Sequence, residues 1–170
     1  MGTVPTFPTG TAVTQHDLLW WLQYRPLCDA YQASTQSVAA TTWTPVTLDT
    51  NVIDRDSGHT AGTATYTIGN TLGRYRVSAM VALAPGTSDQ YQAKLVLNGS
   101  SDVPGSIVTV TSVAAGTDPA VCLYIPPRTV VSTSITDTVQ LQCWSGTGGA
   151  NTVATGAMQS SMFVEYVGNN

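Results

Sequence analysis

The sequence predicts an all-β chain, an antiparallel sandwich or barrel of about eight strands, preceded by an amino-terminal arm with one short helix. Three observations lead there. From about residue 40 onward the text is Thr, Val, Ser, Gly and Ala in short runs that alternate apolar with polar and are punctuated by Gly, Pro and Asn-Gly. No helical periodicity separates those runs, which argues against crossover helices and for antiparallel pairing. Finally, six Lys plus Arg and ten Asp plus Glu make only 9% of 170 residues charged, where roughly 25% is ordinary.

The one change of composition divides the chain into an arm, residues 1–40, and a β body, residues 41–170. Within the arm, Thr14 to Tyr31 has a helical reading. Thr14 and Asp17 resemble a capping pair, since the hydroxyl accepts from a free first-turn amide and the carboxylate complements the helix dipole. Leu18, Trp21, Leu22 and Arg25 share a helical face, with Leu19 and Trp20 beside it. Pro26 ends or kinks that helix. Two adjacent tryptophans carry more apolar surface than a free tail exposes, so they pack on the body of the same chain or dock onto a neighbour.

In the body, strands are expected at Thr42–Asp49, Thr63–Ile68, Tyr75–Ala84, Tyr91–Leu97, Ser106–Val113, Ala120–Ile125, Thr138–Trp144 and Ser161–Val167. Alternation puts Tyr75, Val77, Ala79, Val81 and Leu83 on one face of the third, and Tyr91, Ala93, Leu95 and Leu97 on one face of the fourth. Asn98-Gly99 is a tight-turn signal because both residues tolerate positive φ. In the last strand Phe163, Glu165 and Val167 oppose Met162, Val164 and Tyr166. Both sets are largely apolar, which predicts a strand covered on both sides.

Several function classes are excluded. A net charge of −4 with six cations cannot neutralise a phosphate backbone, so no nucleic-acid partner is expected. Abundant hydrophobic residues, 42% of the chain, exclude disorder. No basic n-region or apolar run opens the chain, and no 18-residue apolar stretch follows, so neither a secretory signal nor membrane insertion is expected. Cys28, Cys122 and Cys143 lie far apart without CxxC spacing, which disfavours zinc and a disulfide framework and fits small buried hydrophobes.

Catalysis finds no support either. His16 and His59 are the only histidines, and neither neighbours a nucleophile signature. Trp144-Ser-Gly-Thr-Gly-Gly149 lacks the lysine of a phosphate loop and reads as a flexible loop. Asp54-Arg55-Asp56-Ser57-Gly58-His59 offers two carboxylates at a calcium-like spacing, but Arg55 between them makes a solvated turn the expectation. No enzyme, metal or cofactor is expected.

In order along the chain come Gly73-Arg-Tyr75-Arg-Val77, Leu95-Val-Leu97-Asn98-Gly99, Asp137-Thr-Val139-Gln-Leu141 and Ser161-Met-Phe163-Val-Glu-Tyr166-Val-Gly168. Their succession resembles the trimeric jelly roll of the tumour-necrosis-factor and complement type, in the versions found in virion proteins of tailed bacteriophages. Trp43-Thr-Pro45-Val46-Thr-Leu48-Asp49 is similar to the opening strand of those modules. The segment Val4-Pro5-Thr6-Phe7 through Val13-Thr14, before the Leu-rich helix, resembles the attachment segment of phage tail and capsid-surface proteins. The resemblance covers residues 4–31 and 43–168. Residues 102–118 are richer in small residues than its pattern.

The resemblance implies an antiparallel jelly roll that forms a homotrimer, with Tyr66, Tyr75, Phe163 and Tyr166 at core or axis positions. It implies an attachment arm in which Val4, Pro5, Phe7, Val13, Leu18, Trp20, Trp21 and Leu22 grip another virion protein of the tail or the capsid. The expected role is therefore a structural protein, made in the host cytoplasm and carried on the virion as a minor tail or fibre protein for host adsorption. The alternatives are a capsid decoration protein that stabilises the head, a module that binds host glycan or receptor through the loops Gly86–Gln90 and Trp144–Asn151, and, without any motif in its favour, a glycan-degrading enzyme. Trp144, beside a Gly-rich loop, is the candidate receptor contact.

Overall fold

The structure, a computed structural model, describes residues 25–68, 71–85, 90–111, 121–146, 149–152 and 159–168. Those residues form strands and turns, with no helix among them. In chain order the strands are β1 (Leu27–Tyr31), β2 (Ser37–Val38), β3 (Thr44–Pro45), β4 (Thr50–Asp54), β5 (Thr65–Thr67), β6 (Gly73–Pro85), β7 (Gln90–Leu97), β8 (Ser101–Asp102), β9 (Val108–Thr111), β10 (Val121–Ser132), β11 (Thr138–Ser145), β12 (Ala150–Thr152) and β13 (Ser161–Gly168).

Two antiparallel sheets pack face to face. The long sheet runs β10-β6-β13-β1-β4, with β12 continuing along the β13 side of β6 and β2 outside it. The short sheet centres on β11 and β7, with β3 and β5 along one side of β11 and β8 and β9 along the far side of β7. Alternation fills the space between them: Tyr75, Val77, Ala79, Val81 and Leu83 of β6 are buried against Tyr91, Ala93 and Leu95 of β7 and Val139, Leu141 and Cys143 of β11. Met162, Val164 and Tyr166 of β13 join this core, while Phe163 and Val167 point away from it.

The segment before residue 40 departs from its expected conformation. Leu27–Tyr31, the end of the segment with a helical reading beyond the expected break at Pro26, is a strand between β13 and β4, with Cys28 and Ala30 buried. Pro26 cannot donate within a helix but its carbonyl accepts from the Tyr166 amide at 3.0 Å, extending the ladder. Among the described residues, β1 and β2 therefore belong to the sandwich although sequence grounds assign residues 1–40 to the arm. The rest of the expected helix lies outside the described residues.

Three strand expectations also shift. Thr42–Asp49 is not one strand: β3 lies in the short sheet and β4 in the long one, so the chain changes sheets between them. Ala120–Ile125 continues as β10 through Pro126-Pro127 to Ser132, because the prolines fall at a bulge, where the β6 register shifts between Ile125 and Arg128. Among the described residues β10 pairs with β6 alone, and an edge bulge is where missing N–H donors are tolerated. β9 is shorter than the expected Ser106–Val113, whose last two residues are not described.

Gly73, which opens β6, has φ +142°, and a Cβ there would stand 2.5 Å from the Gly168 carbonyl oxygen and 2.9 Å from the Tyr166 ring. Only glycine lets the two strand ends meet this closely.

Candidate functional site

The face of the long sheet that points away from the core is the most unusual surface of the molecule. A solvated face of an antiparallel sheet alternates polar residues outward. Here the outward positions of β10, β6, β13 and β1 place Tyr124 opposite Met80, Met80 opposite Ser161 and Ser161 opposite Tyr31 in one row across the sheet. In the next, Ser78 faces Phe163, Phe163 faces Asp29 and Asp29 faces Ile53. Tyr124 is 58% exposed and Phe163 37%. Toward the other end, Val131 lies opposite Arg74, with exposed Val167 nearby.

One ionic cluster crosses this apolar surface. Glu165 accepts from Arg25 at 2.8 Å and lies 3.7 Å from Arg76 on the neighbouring strand. With Arg74, that puts three of the chain's six cations on one face. Charge is thus concentrated on this face, with Glu165 set between Arg25 and Arg76.

The tyrosines named from sequence are core residues. Tyr66 is fully buried and its hydroxyl donates to both Asp56 carboxylate oxygens, at 2.7 and 2.8 Å. Burial first, then the Asp56 charge, pushes its phenol far above the ordinary range. Tyr75 and Tyr166 pack edge to face, with ring centroids 5.3 Å apart, and their hydroxyls donate to the carbonyls of Thr71 and Leu72. Of the four aromatic candidates, only Phe163 reaches the outward face.

Asp54 and Asp56 build a loop rather than an open acidic pair. Asp54 accepts from the Gly58 and His59 amides, both at 3.1 Å, and Asp56 accepts from Tyr66. His59 is buried, its ring nitrogens 2.6 Å from Asn51 Oδ1 and 3.2 Å from the Thr63 carbonyl oxygen. These contacts close the loop onto β4 and β5. Among the described residues no group of three or more His, Cys, Asp and Glu is arranged to hold a metal. None of the three cysteines is disulfide-bonded, and Cys28 and Cys143 are buried. Burial pushes both thiols up to about 12, with Asp54, Asp56 and Asp29 adding to the effect at Cys28.

Trp144 projects from the opposite, short sheet. Along β11 its neighbours Cys143 and Ser145 are buried, and Trp144 is half-buried on the outward side with Gln142 and Gln140. The pairs Gln142–Pro45 and Cys143–Thr44 set the β11–β3 register, so Trp43 is the next residue on β3's side as Trp144 is on β11. Lys94, opposite Gln142 on β7, lays its ammonium 4.3 Å from the centre of the Trp43 ring and 2.6 Å from Asp102.

Val4, Pro5, Phe7, Val13, Leu18, Trp20, Trp21 and Leu22 lie outside the described residues, as do 86–89 and 147–148 of the two loops. Tyr124, Met80 and Trp43 were not singled out by sequence. A signal existed for Tyr124, since Cys122 and Tyr124 alternate with Leu123 and Ile125. None existed for Trp43, whose contact depends on a register across three strands.

No protein-family model matches the chain, and no curated protein matches it. Solved structures do. The globular domain of zebrafish complement 1qA protein superimposes with a TM-score of 0.60 at 13% identity, over 86% of this chain and 99% of that one. Eiger TNF from S. frugiperda gives 0.59 at 11% identity, over 86% and 96%. Murine APRIL gives 0.56 at 14% identity, over 84% and 99%. With all-antiparallel strand pairing and this strand order, the chain has the jelly-roll sandwich fold that the complement and tumour-necrosis-factor domains share.

Proposed function

We propose that the chain is a non-enzymatic structural module that assembles as a homotrimer through the outward face of its long sheet. The observation that carries this is the set of large apolar side chains, Tyr124, Met80, Phe163 and Tyr31, that stand among Ser78, Ser161 and Asp29 on a face where a lone antiparallel sheet shows water mainly polar residues. Inside the patch Glu165 lies between Arg25 and Arg76 of the same protomer, so covering this face does not leave the carboxylate unpaired. Threefold symmetry is what the resemblance to tumour-necrosis-factor and complement modules implies. The order of the strand-opening segments and the Val4–Thr14 segment support a place on the particle of a tailed bacteriophage, as a minor tail or fibre protein that presents the jelly roll to the host.

Light scattering on the purified chain tests the assembly: the expected mass is about three times the 17.8 kDa protomer, and Phe163→Arg with Tyr124→Arg is expected to give the protomer mass with the β signature intact. A wild-type monomer at micromolar concentration rejects the trimer. Labelled antibody against the chain, imaged on intact particles, tests the location; labelling of the head in place of the tail selects the decoration role.

A further inference from the structure

The outward face of the short sheet holds two half-buried indoles that assembly through the long sheet leaves open. We propose that Trp43 and Trp144 form a platform for a neutral oligosaccharide. The inference stands on the opposite face of the sandwich and does not depend on the trimer.

The platform is built, not incidental. The Lys94 side chain is only 12% exposed, held between the Trp43 ring and the Asp102 carboxylate. A cation over an indole face, desolvated and paired, fixes the ring in place. Beside it runs an amide relay: Gln142 donates to Gln140 at 2.7 Å, and Gln140 donates to Thr65 at 3.2 Å. That order directs the Gln142 carbonyl oxygen away from the relay. On the next strand Gln92 lies opposite Trp144, and Thr109 opposite Gln92.

The chemistry selects the ligand class. Indole faces accept the apolar C–H faces of sugar rings, and primary amides match hydroxyl groups because each supplies both donors and acceptors. An anionic ligand finds no open cation here: Lys94 is the only cation on the strands of the short sheet, and Asp102 neutralises it. A wholly apolar partner would bury the Gln92 amide and the Gln142 carbonyl oxygen without supplying them hydrogen-bond partners.

The full chain is titrated with maltohexaose, cellopentaose, chitotetraose and mannotetraose to millimolar concentration, with a hyaluronan tetramer as the anionic control, while indole fluorescence and indole N–H resonances are followed. At least one neutral oligosaccharide is expected to perturb Trp43 and Trp144, and Trp144→Ala to weaken it by about tenfold, the scale of one stacking aromatic. Gln92→Ala, at a strand surface position, is expected to weaken binding with an unchanged melting transition. The inference is overturned if no neutral member perturbs either indole, if only the anionic control does, if both variants bind as the wild type does, or if the perturbation follows protein concentration instead of sugar.

Discussion

Asn98 and Asp137 clasp two turns that lie 39 residues apart in the chain: Asn98 Nδ2 donates to Asp137 Oδ1 at 2.9 Å. Asn98 Oδ1 accepts from the Thr138 amide at 2.8 Å, and Asp137 Oδ2 accepts from the Thr133 and Ser134 amides at 2.7 and 2.8 Å. Asn98, at φ 53°, and Gly99, at φ 70°, make the β7–β8 turn that Asn-Gly predicts. One carboxylate therefore orders both that turn and the β10–β11 turn.

Replacing Asp137 by Ala is expected to destabilise the chain by about 2–3 kcal/mol, the cost of charge-assisted bonds lost at a buried site, measured as a lower urea midpoint. The Asn98 amide, and then the Ser134 and Thr133 amides, hold the Asp137 carboxyl below its ordinary 3.8 despite opposing burial. Its folded-state pKa is thus below the unfolded one, so its stabilisation is present above about pH 4 and is lost as pH falls through the folded value. The acid limb of stability in Asp137→Ala is expected to be shallower than in wild type. Parallel acid limbs would assign the loss to other carboxylates.

The alkaline limb has the opposite origin. Cys28 and Cys143 are raised from 9.0 to about 12 in the folded chain. A folded pKa above the unfolded one gives stability that is complete below pH 9 and declines between pH 9 and 12, as the unfolded thiols ionise and the buried ones cannot. Cys28→Ala with Cys143→Ala is expected to make that decline shallower, most clearly between pH 9 and 10, before the unfolded forms of the raised Tyr66, Tyr75 and Tyr166 begin to ionise, although the lost sulfur packing lowers the absolute level. An unchanged slope contradicts the assignment.

Gly58 tests the loop that Asp54 closes. An added Cβ would meet the Tyr66 ring at 2.6 Å and the Thr67 carbonyl oxygen at 2.8 Å, while the Gly58 carbonyl accepts from the Thr67 amide at 2.8 Å. Gly58→Ala is expected to cost about 1–3 kcal/mol, as overpacking does, and to lower the thermal midpoint. A neutral result would mean that the Tyr66–Asp56 contact moves freely.

What sequence disclosed follows from where the signal is local. β6 and β13 were legible because each alternates over many residues, Tyr75 to Leu83 and Met162 to Tyr166. β1 was not, because Leu27 and Tyr31 on its outward side are as apolar as Cys28 and Ala30 on its inward side, and they follow a Trp-rich segment with helical spacing. Pro126-Pro127 hid the second half of β10, since a proline pair marks a strand end unless a bulge receives it. The apolar outward face was foreshadowed by Phe163 and Val167, yet its breadth required the registers of four strands. The Lys94–Trp43 contact spans β11 and has no local signature.

Cys122 reports whether the long sheet's outward face is covered. It is exposed in the protomer and lies opposite Ala82, two positions along β10 from Tyr124, so a neighbour seated on the Tyr124–Phe163 patch also shields its sulfur. Cys28 and Cys143 are buried in the protomer itself and stay protected whatever the assembly. At pH 8, iodoacetamide is therefore expected to modify the wild-type chain slowly at Cys122, and Phe163→Arg quickly at Cys122 alone, with peptide mass spectrometry identifying the site. Dilution is expected to speed the wild-type reaction toward the variant's rate, since protomers separate by mass action. Equal rates in both proteins at every concentration would show that this face is open to water and that the chain associates elsewhere or not at all.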